Sequence, residues 1–203
     1  MSGAHELKAK SPILILGAGG HSLACIGVLE SEGRHRIVGL VGKPGEVGKR
    51  ILGHRVIATD RDLPAWLKSC RNVLVAIGQI KTPIPRQRAY EEARALGASF
   101  PVIRSPFSCV SSKAVLGDGT IVMPGAIVQP GVEVGKNCIL NSRCLLEHGV
   151  KIGDHCHIST GVILNGDAVL GPRSFVGSGS VVQEGAVIKA NSLVPMGTTV
   201  RRR

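Results

Sequence analysis

From Ser108 to the C-terminus the chain falls into hexads without one slip: SCVSSK AVLGDG TIVMPG AIVQPG VEVGKN CILNSR CLLEHG VKIGDH CHISTG VILNGD AVLGPR SFVGSG SVVQEG AVIKAN SLVPMG TTVRRR. Every third position is aliphatic, from Val110 to Val200, and every first position is small or β-branched. Residues two apart on a strand face the same way, so first and third positions point inward and the later positions turn a corner. Three short strands and three corners close one triangular coil, and stacked coils form a left-handed parallel β-helix. Gly117, Gly135, Gly153 and Gly171 recur one coil apart, where the corner needs either a positive φ or a close backbone approach. With aromatic residues at 2% but hydrophobics at 43%, the core must be built from Val, Ile, Leu and Ala, which suits a repetitive backbone.

The first half has a different rhythm. "PILILGAGG", "HRIVGLVG" and "NVLVAIG" read as strands, and "HSLACIGVLESEG" and "TPIPRQRAYEEARALG" as helices. Alternating strands and helices imply a small parallel sheet, an α/β Rossmann-like domain over residues 1–105, followed by the all-β helix over 106–203. Ligands of such sheets sit at the carboxyl ends of the strands, where glycines stand here. The net charge of +11 points to anionic partners. One Trp, one Tyr and dispersed basic residues argue against nucleic acid, leaving phosphorylated or carboxylated small molecules. Without a CxxC pair, a charged-then-apolar leader or a long apolar run, the expectation is a reduced cytoplasmic protein with no membrane segment.

Cys138, Cys144 and Cys156 hold the small inward position and read as inert core. Three histidines crowd the stretch "CLLEHGVKIGDHCHISTG". His148 is fifth in its hexad, at a corner; His157 is second and points outward; His155 ends a hexad and reads as a solvated turn residue. His148 and His157 lie half a coil apart, on different sides of one prism. If three prisms pack around an axis, the side carrying His148 on one copy faces the side carrying His157 on the next. Glu147 and Asn141 are near enough in the repeat to orient an imidazole or its substrate. A neutral histidine there suits removal of a proton from an amine or hydroxyl, and metal ligation is the competing use of these imidazoles.

The motifs "ILGAGGH", "VAIG", "SPFSCVSSKAVLGDGTIVMPGAIV" and "LNSRCLLEHGVKIGDHCHISTGV" together resemble the hexapeptide-repeat sugar acetyltransferases of the PglD/NeuD type, over nearly the whole chain. The resemblance implies a homotrimer, with active sites between subunits, moving an acetyl group from acetyl-CoA to the amine of a nucleotide-linked amino sugar in bacterial surface glycan synthesis, with no metal. It makes His148 the general base and matches Asn141 to the family's Asn that precedes it; Glu147, next to the histidine in this chain, is the acid placed to support it. It puts His157, Ser178, Met196 and Gly197 at the coenzyme, and Gly19, Gly20, His21, Lys43 and Gly78 at the sugar nucleotide. Three departures from the family pattern stand out: Gly149 follows the histidine where an acid is usual, "LVGKP" ends the second strand where an acidic pair is usual, and Arg201–Arg203 replace the usual tail. Those arginines suit the coenzyme's phosphates or form a disordered basic end. Loss of the acidic pair and gain of Lys43 favour an acidic sugar, so O-acetylation of a sialic-acid-type sugar is the near alternative. A β-helix zinc hydratase resembling the γ-carbonic anhydrases is the alternative from another class.

Overall fold

A computed structural model of the chain describes residues 9–202; Arg203 lies outside them. The front part runs β1 (Ser11–Leu16), α1 (Gly20–Glu32), β2 (His35–Val41), β3 (Arg50–Ile51), β4 (His54–Ala58), α2 (Leu63–Trp66), β5 (Val73–Val75) and α3 (Ile84–Ala95). Its sheet has the order β3-β4-β2-β1-β5. All pairings are parallel except the β3–β4 hairpin, an element too short to announce itself by periodicity. Ile13 to Leu16 are buried without alternation because both sheet faces are covered: Ile13 and Ile15 pack with α1, Leu14 and Leu16 with the α2–α3 layer. The architecture is the expected Rossmann-like domain followed by a left-handed parallel β-helix.

The β-helix has three faces. The first stacks Ile103–Arg104, Ile121–Val122, Ile139–Leu140, His157–Ile158, Phe175–Val176 and Leu193–Val194. The second stacks Cys109–Val110, Ile127–Val128, Leu145–Leu146, Ile163–Leu164, Val181–Val182 and Thr199–Val200. The third stacks Val115–Leu116, Glu133–Val134, Lys151–Ile152, Val169–Leu170 and Val187–Ile188. The inward side chains form one continuous core that includes Cys138, Cys144 and Cys156, all fully buried.

Of the two reasons considered for the eighteen-residue glycines, close approach is the operative one. A Cβ on Gly153 would stand 2.6 Å from the Pro172 nitrogen, and one on Gly171 2.4 Å from the Ala190 nitrogen. Positive φ belongs instead to the sixth position of the hexads from Gly119 to Gly197, shared between glycines and Asn137, Arg143, His155, Asp167, Arg173 and Asn191. The small first-position groups serve the fourth-position corners as well: the Cys138 and Cys156 thiols donate to the Gly153 and Gly171 carbonyls at 3.2 Å.

The front domain sits on the first face. Ile121 and Ile139 point out of the prism yet are fully buried in the cluster they share with α1 and β1, each contributing roughly 2–3 kcal/mol. α3 lies against the edge between the third and first faces. There His155 departs from expectation: it is buried, not solvated, because α3 covers its corner. Asn137 donates to His155 Nδ1 at 3.0 Å, which leaves its Nε2 facing Glu91 at 3.5 Å. Burial holds the His155 imidazole below its usual range. Among the described residues no helix is long and apolar enough to cross a membrane.

Candidate active site

The carboxyl ends of β1, β2 and β5 open into a cavity of about 800 Å³, bounded on the prism side by His157. Gly17 has φ +108, and a Cβ there would stand 2.8 Å from Ile77, so glycine is required where the β1 turn meets the end of β5. At Gly19 and Gly20 nothing lies within 4 Å of a Cβ position, which leaves their backbone open at the start of α1. A helix start presents unpaired N–H groups and suits a phosphate. The five residues expected at the sugar nucleotide, Gly19, Gly20, His21, Lys43 and Gly78, all line this cavity.

Two carboxylates there were not anticipated. The turn Pro44–Glu46 folds Glu46 back so that its Oε2 accepts the Lys43 N–H at 2.8 Å and stands 2.8 Å from where a Gly42 Cβ would be. Glu46 thus supplies an acid at the end of β2 although no acid occupies the strand end, and Asp60 joins it at the cavity wall. Of the two grounds for an acidic sugar, the loss of acids at the end of β2 no longer holds, while Lys43 still lines the cavity. No periodicity could have revealed Glu46, because the turn decides where its carboxylate lies.

His157 is buried, but against the chain's own front domain. Its Nδ1 is 2.7 Å from the Gln79 carbonyl, which can only accept, so Nδ1 carries the proton. Its Nε2 then accepts from Asn141 Nδ2 at 3.2 Å. Desolvation first, then His21 and Arg86, push its pKa down to about 3 against the opposing pull of the Gln79 hydrogen bond; burial and Arg86 push His21 down to about 4. Both imidazoles are neutral at pH 7, with ring centroids 6.3 Å apart. Both ring nitrogens of His157 are thus engaged within the chain. One expectation is corrected: the side carrying His157 does not meet another prism at that point, because the front domain already covers it. Asn141 is bound to His157, not to His148.

Arg86 organises this junction. It is buried, donating to Asn137 Oδ1 at 2.9 Å, the Cys156 carbonyl at 3.3 Å and Gln79 Oε1 at 3.5 Å. Burial lowers its pKa to about 10. The sequence does carry a signal for it: Arg86 shares the buried stripe of α3 with Tyr90 and Ala93.

His148 and Glu147 stand elsewhere, on the edge between the second and third faces. His148 is exposed, and its imidazole lies over Gly166, where a Cβ would come within 2.6 Å of Cε1. No hydrogen bond joins Glu147 to it among the described residues. Gly149 has φ +70, and Asp167 Oδ1 occupies the position a Gly149 Cβ would take, 2.0 Å away. The carboxylate at this corner therefore comes from Asp167, one coil on. Ser178, Met196 and Gly197 lie on the opposite border of the second face, the edge that rises from Asn141. Ser178 is hydrogen-bonded to Ser159 at 2.8 Å, and Met196 is exposed. Among the described residues no three His, Cys, Asp or Glu side chains are grouped to hold a metal.

Residues 12–93 match the PglD N-terminal domain, residues 113–148 the bacterial transferase hexapeptide family, and residues 168–202 the hexapeptide repeat of succinyl-transferase. Similar solved structures include a His-to-Asn variant of perosamine N-acetyltransferase from Caulobacter crescentus in complex with CoA and GDP-perosamine (28% identity, TM-score 0.88, 96% of this chain and 90% of that one). PerB from the same organism, also with CoA and GDP-perosamine, is 27% identical (TM-score 0.85, 96% and 93% covered). The acetyltransferase domain of PglB from Neisseria gonorrhoeae is 25% identical (TM-score 0.85, 94% and 91% covered). No curated protein sequence is significantly similar. Repeat, fold and cavity together define an acyltransferase of the hexapeptide-repeat class. Within that class the chain is similar to the PglD type: its front domain matches the PglD N-terminal domain, and its β-helix matches the hexapeptide repeats.

Proposed function

We propose that the protein transfers the acetyl group of acetyl-CoA to the amino group of a nucleotide-linked amino sugar, in a trimer whose active sites lie between subunits. The observation that carries this reading is the cavity at the strand ends, with the α1 start for phosphate, Glu46 and Asp60 for hydroxyl or amine groups, and His157 joining it to the prism. Carboxylates in the cavity favour an amino sugar over an acidic one. The similar enzymes bound to CoA and GDP-perosamine support the same pair of substrate classes.

The second face carries Ile127, Leu145, Ile163 and Val181 outward with no charge among them, whereas the third carries a Lys151–Glu133 ion pair at 3.6 Å. With the second face turned to a threefold axis, its two edges meet neighbouring copies on either side. The His148 edge of one copy then abuts the edge with Asn141, Ser178 and Met196 of the next, beside that copy's cavity. The donor lies along this seam.

The substrate nitrogen attacks the thioester carbonyl carbon, forming the C–N bond. His148 takes the proton released from nitrogen. The C–S bond breaks, and the sulfur leaves with that proton returned from the imidazolium. His157 serves as a fixed prop that holds Asn141, whose second amide hydrogen is free to meet the oxyanion. The Asp167 carboxylate stands at the corner beside His148. Holding both substrates across one seam supplies much of the acceleration.

Calorimetry with acetyl-CoA, then thiol release with a panel of nucleotide-linked amino sugars, tests the reading. One donor site per chain and release with one panel member are expected. His148→Ala should lower kcat by roughly 10²–10⁴ while leaving Tm and donor binding intact. Unchanged turnover in that variant, or no release by the wild type, sinks the proposal.

A further inference from the structure

We infer that Arg201 and Arg202 form a binding site for the phosphates at the nucleotide end of the acyl donor. This rests on the acyl transfer proposed above and adds a ligand contact that the catalytic reading does not require.

Register is the first argument. Strand pairing stacks each residue of the β-helix on the one eighteen positions earlier, as Ile139 on Ile121 and His157 on Ile139. On the edge between the second and third faces this puts His148, Gly166, Glu184 and Arg202 in one column. Arg202 therefore stands three coils above His148, which at the spacing of paired strands is roughly 14 Å. The pantetheine arm of coenzyme A has a backbone about as long as four extended residues, ~14 Å as well. A thioester carbonyl beside His148, with its arm running up the seam, brings its diphosphate to the height of Arg201 and Arg202.

Order is the second argument. These residues are not a frayed end: Thr199–Val200 pairs with Val181–Val182, and the Arg202 N–H donates to Gln183 Oε1 at 3.0 Å. The Arg202 guanidinium lies across the corner below, its Nη1 3.5 Å from where a Gly185 Cβ would stand. Glu184, the carboxylate on that corner, forms no ion pair with it among the described residues. The edge expected to face this one in a trimer has no charge at the same height: its corners Ser159–Gly161, Gly177–Gly179 and Pro195–Gly197 are uncharged. If phosphates are held there, the cations must come from Arg201 and Arg202. An arginine fork is the side chain best matched to phosphate oxygens.

The test compares acetyl-CoA with acetyl-pantetheine, which offers the same thioester and arm without phosphates, on the wild type and on Arg201→Ala/Arg202→Ala. Losing charge-assisted hydrogen bonds should raise KM for acetyl-CoA by about tenfold or more, with kcat little changed. KM for acetyl-pantetheine should stay within about twofold by the same reasoning. Added salt should raise the wild-type KM for acetyl-CoA and barely move that of the double variant. Arg201→Lys/Arg202→Lys should recover part of the loss. An unchanged KM for acetyl-CoA in an active double variant overturns the phosphate site alone, and so does an equal rise for both donors, which would mean a general disturbance of the edge. A wild type that neither binds CoA nor uses either donor overturns the acyl-transfer reading itself.

Discussion

His157 and His21 are both held neutral by burial and by the Arg86 cation, and this has a price in acid. Their folded pKa values, about 3 and about 4, lie below the ordinary value of 6.5. The unfolded chain therefore binds more protons below pH 6.5, so the stability these residues contribute is complete above that pH and is lost as pH falls toward the folded values. Between pH 6.5 and 5 the protein should lose on the order of 2 kcal/mol, or about 5 °C in Tm, measurable by a thermal melt at each pH. His157→Gln should flatten the profile. A Tm that is flat or rises across this range would show that the rings are not buried neutral. None of this is readable from residue type: "DHCHISTG" says only that His157 leaves the prism, and the neighbouring domain decides that it enters a dry junction instead of water.

Within one coil, two glycine positions do different work, and they should respond differently to the same change. At the fourth position backbone approaches backbone, so Gly153→Ala must displace the Pro172 turn; about 3 kcal/mol or more is expected. At an open sixth position such as Gly161 only φ matters. Gly161 has φ +66 with nothing within 4 Å of its Cβ position, so Gly161→Ala should cost about 1 kcal/mol, and Gly161→Asn less. Denaturant unfolding of the three variants compares them directly, and equal costs for Gly153→Ala and Gly161→Ala would refute the distinction. The hexad register was fully legible because inward positions tolerate only small or aliphatic side chains. The corner geometry was legible in part: the recurrence of Gly117, Gly135, Gly153 and Gly171 was plain, but the reason for it needed coordinates.

At the scale of the whole molecule, the front domain covers the first face, a Lys–Glu pair marks the third, and the second is left with an uncharged apolar stripe. In the proposed trimer, Ile163→Lys, outward on that stripe, should leave monomers without lowering the monomer's own helical or β content, and should abolish turnover because His148 would then have no neighbouring cavity. Light scattering with circular dichroism reads both effects; a trimer that survives the charge would mean another face is used. By itself the sequence determined the two architectures and the residues around the strand ends, since burial periodicity and glycine-rich turns are local properties carried in the order of residues. Only the tertiary structure decided that His155 and His157 are buried by the front domain and that Glu46 and Asp167 bring carboxylates to corners whose own residues are glycine. It also decided that Arg86 holds the junction. Each of these depends on which surfaces meet across long separations in the chain, and no period in a sequence encodes that.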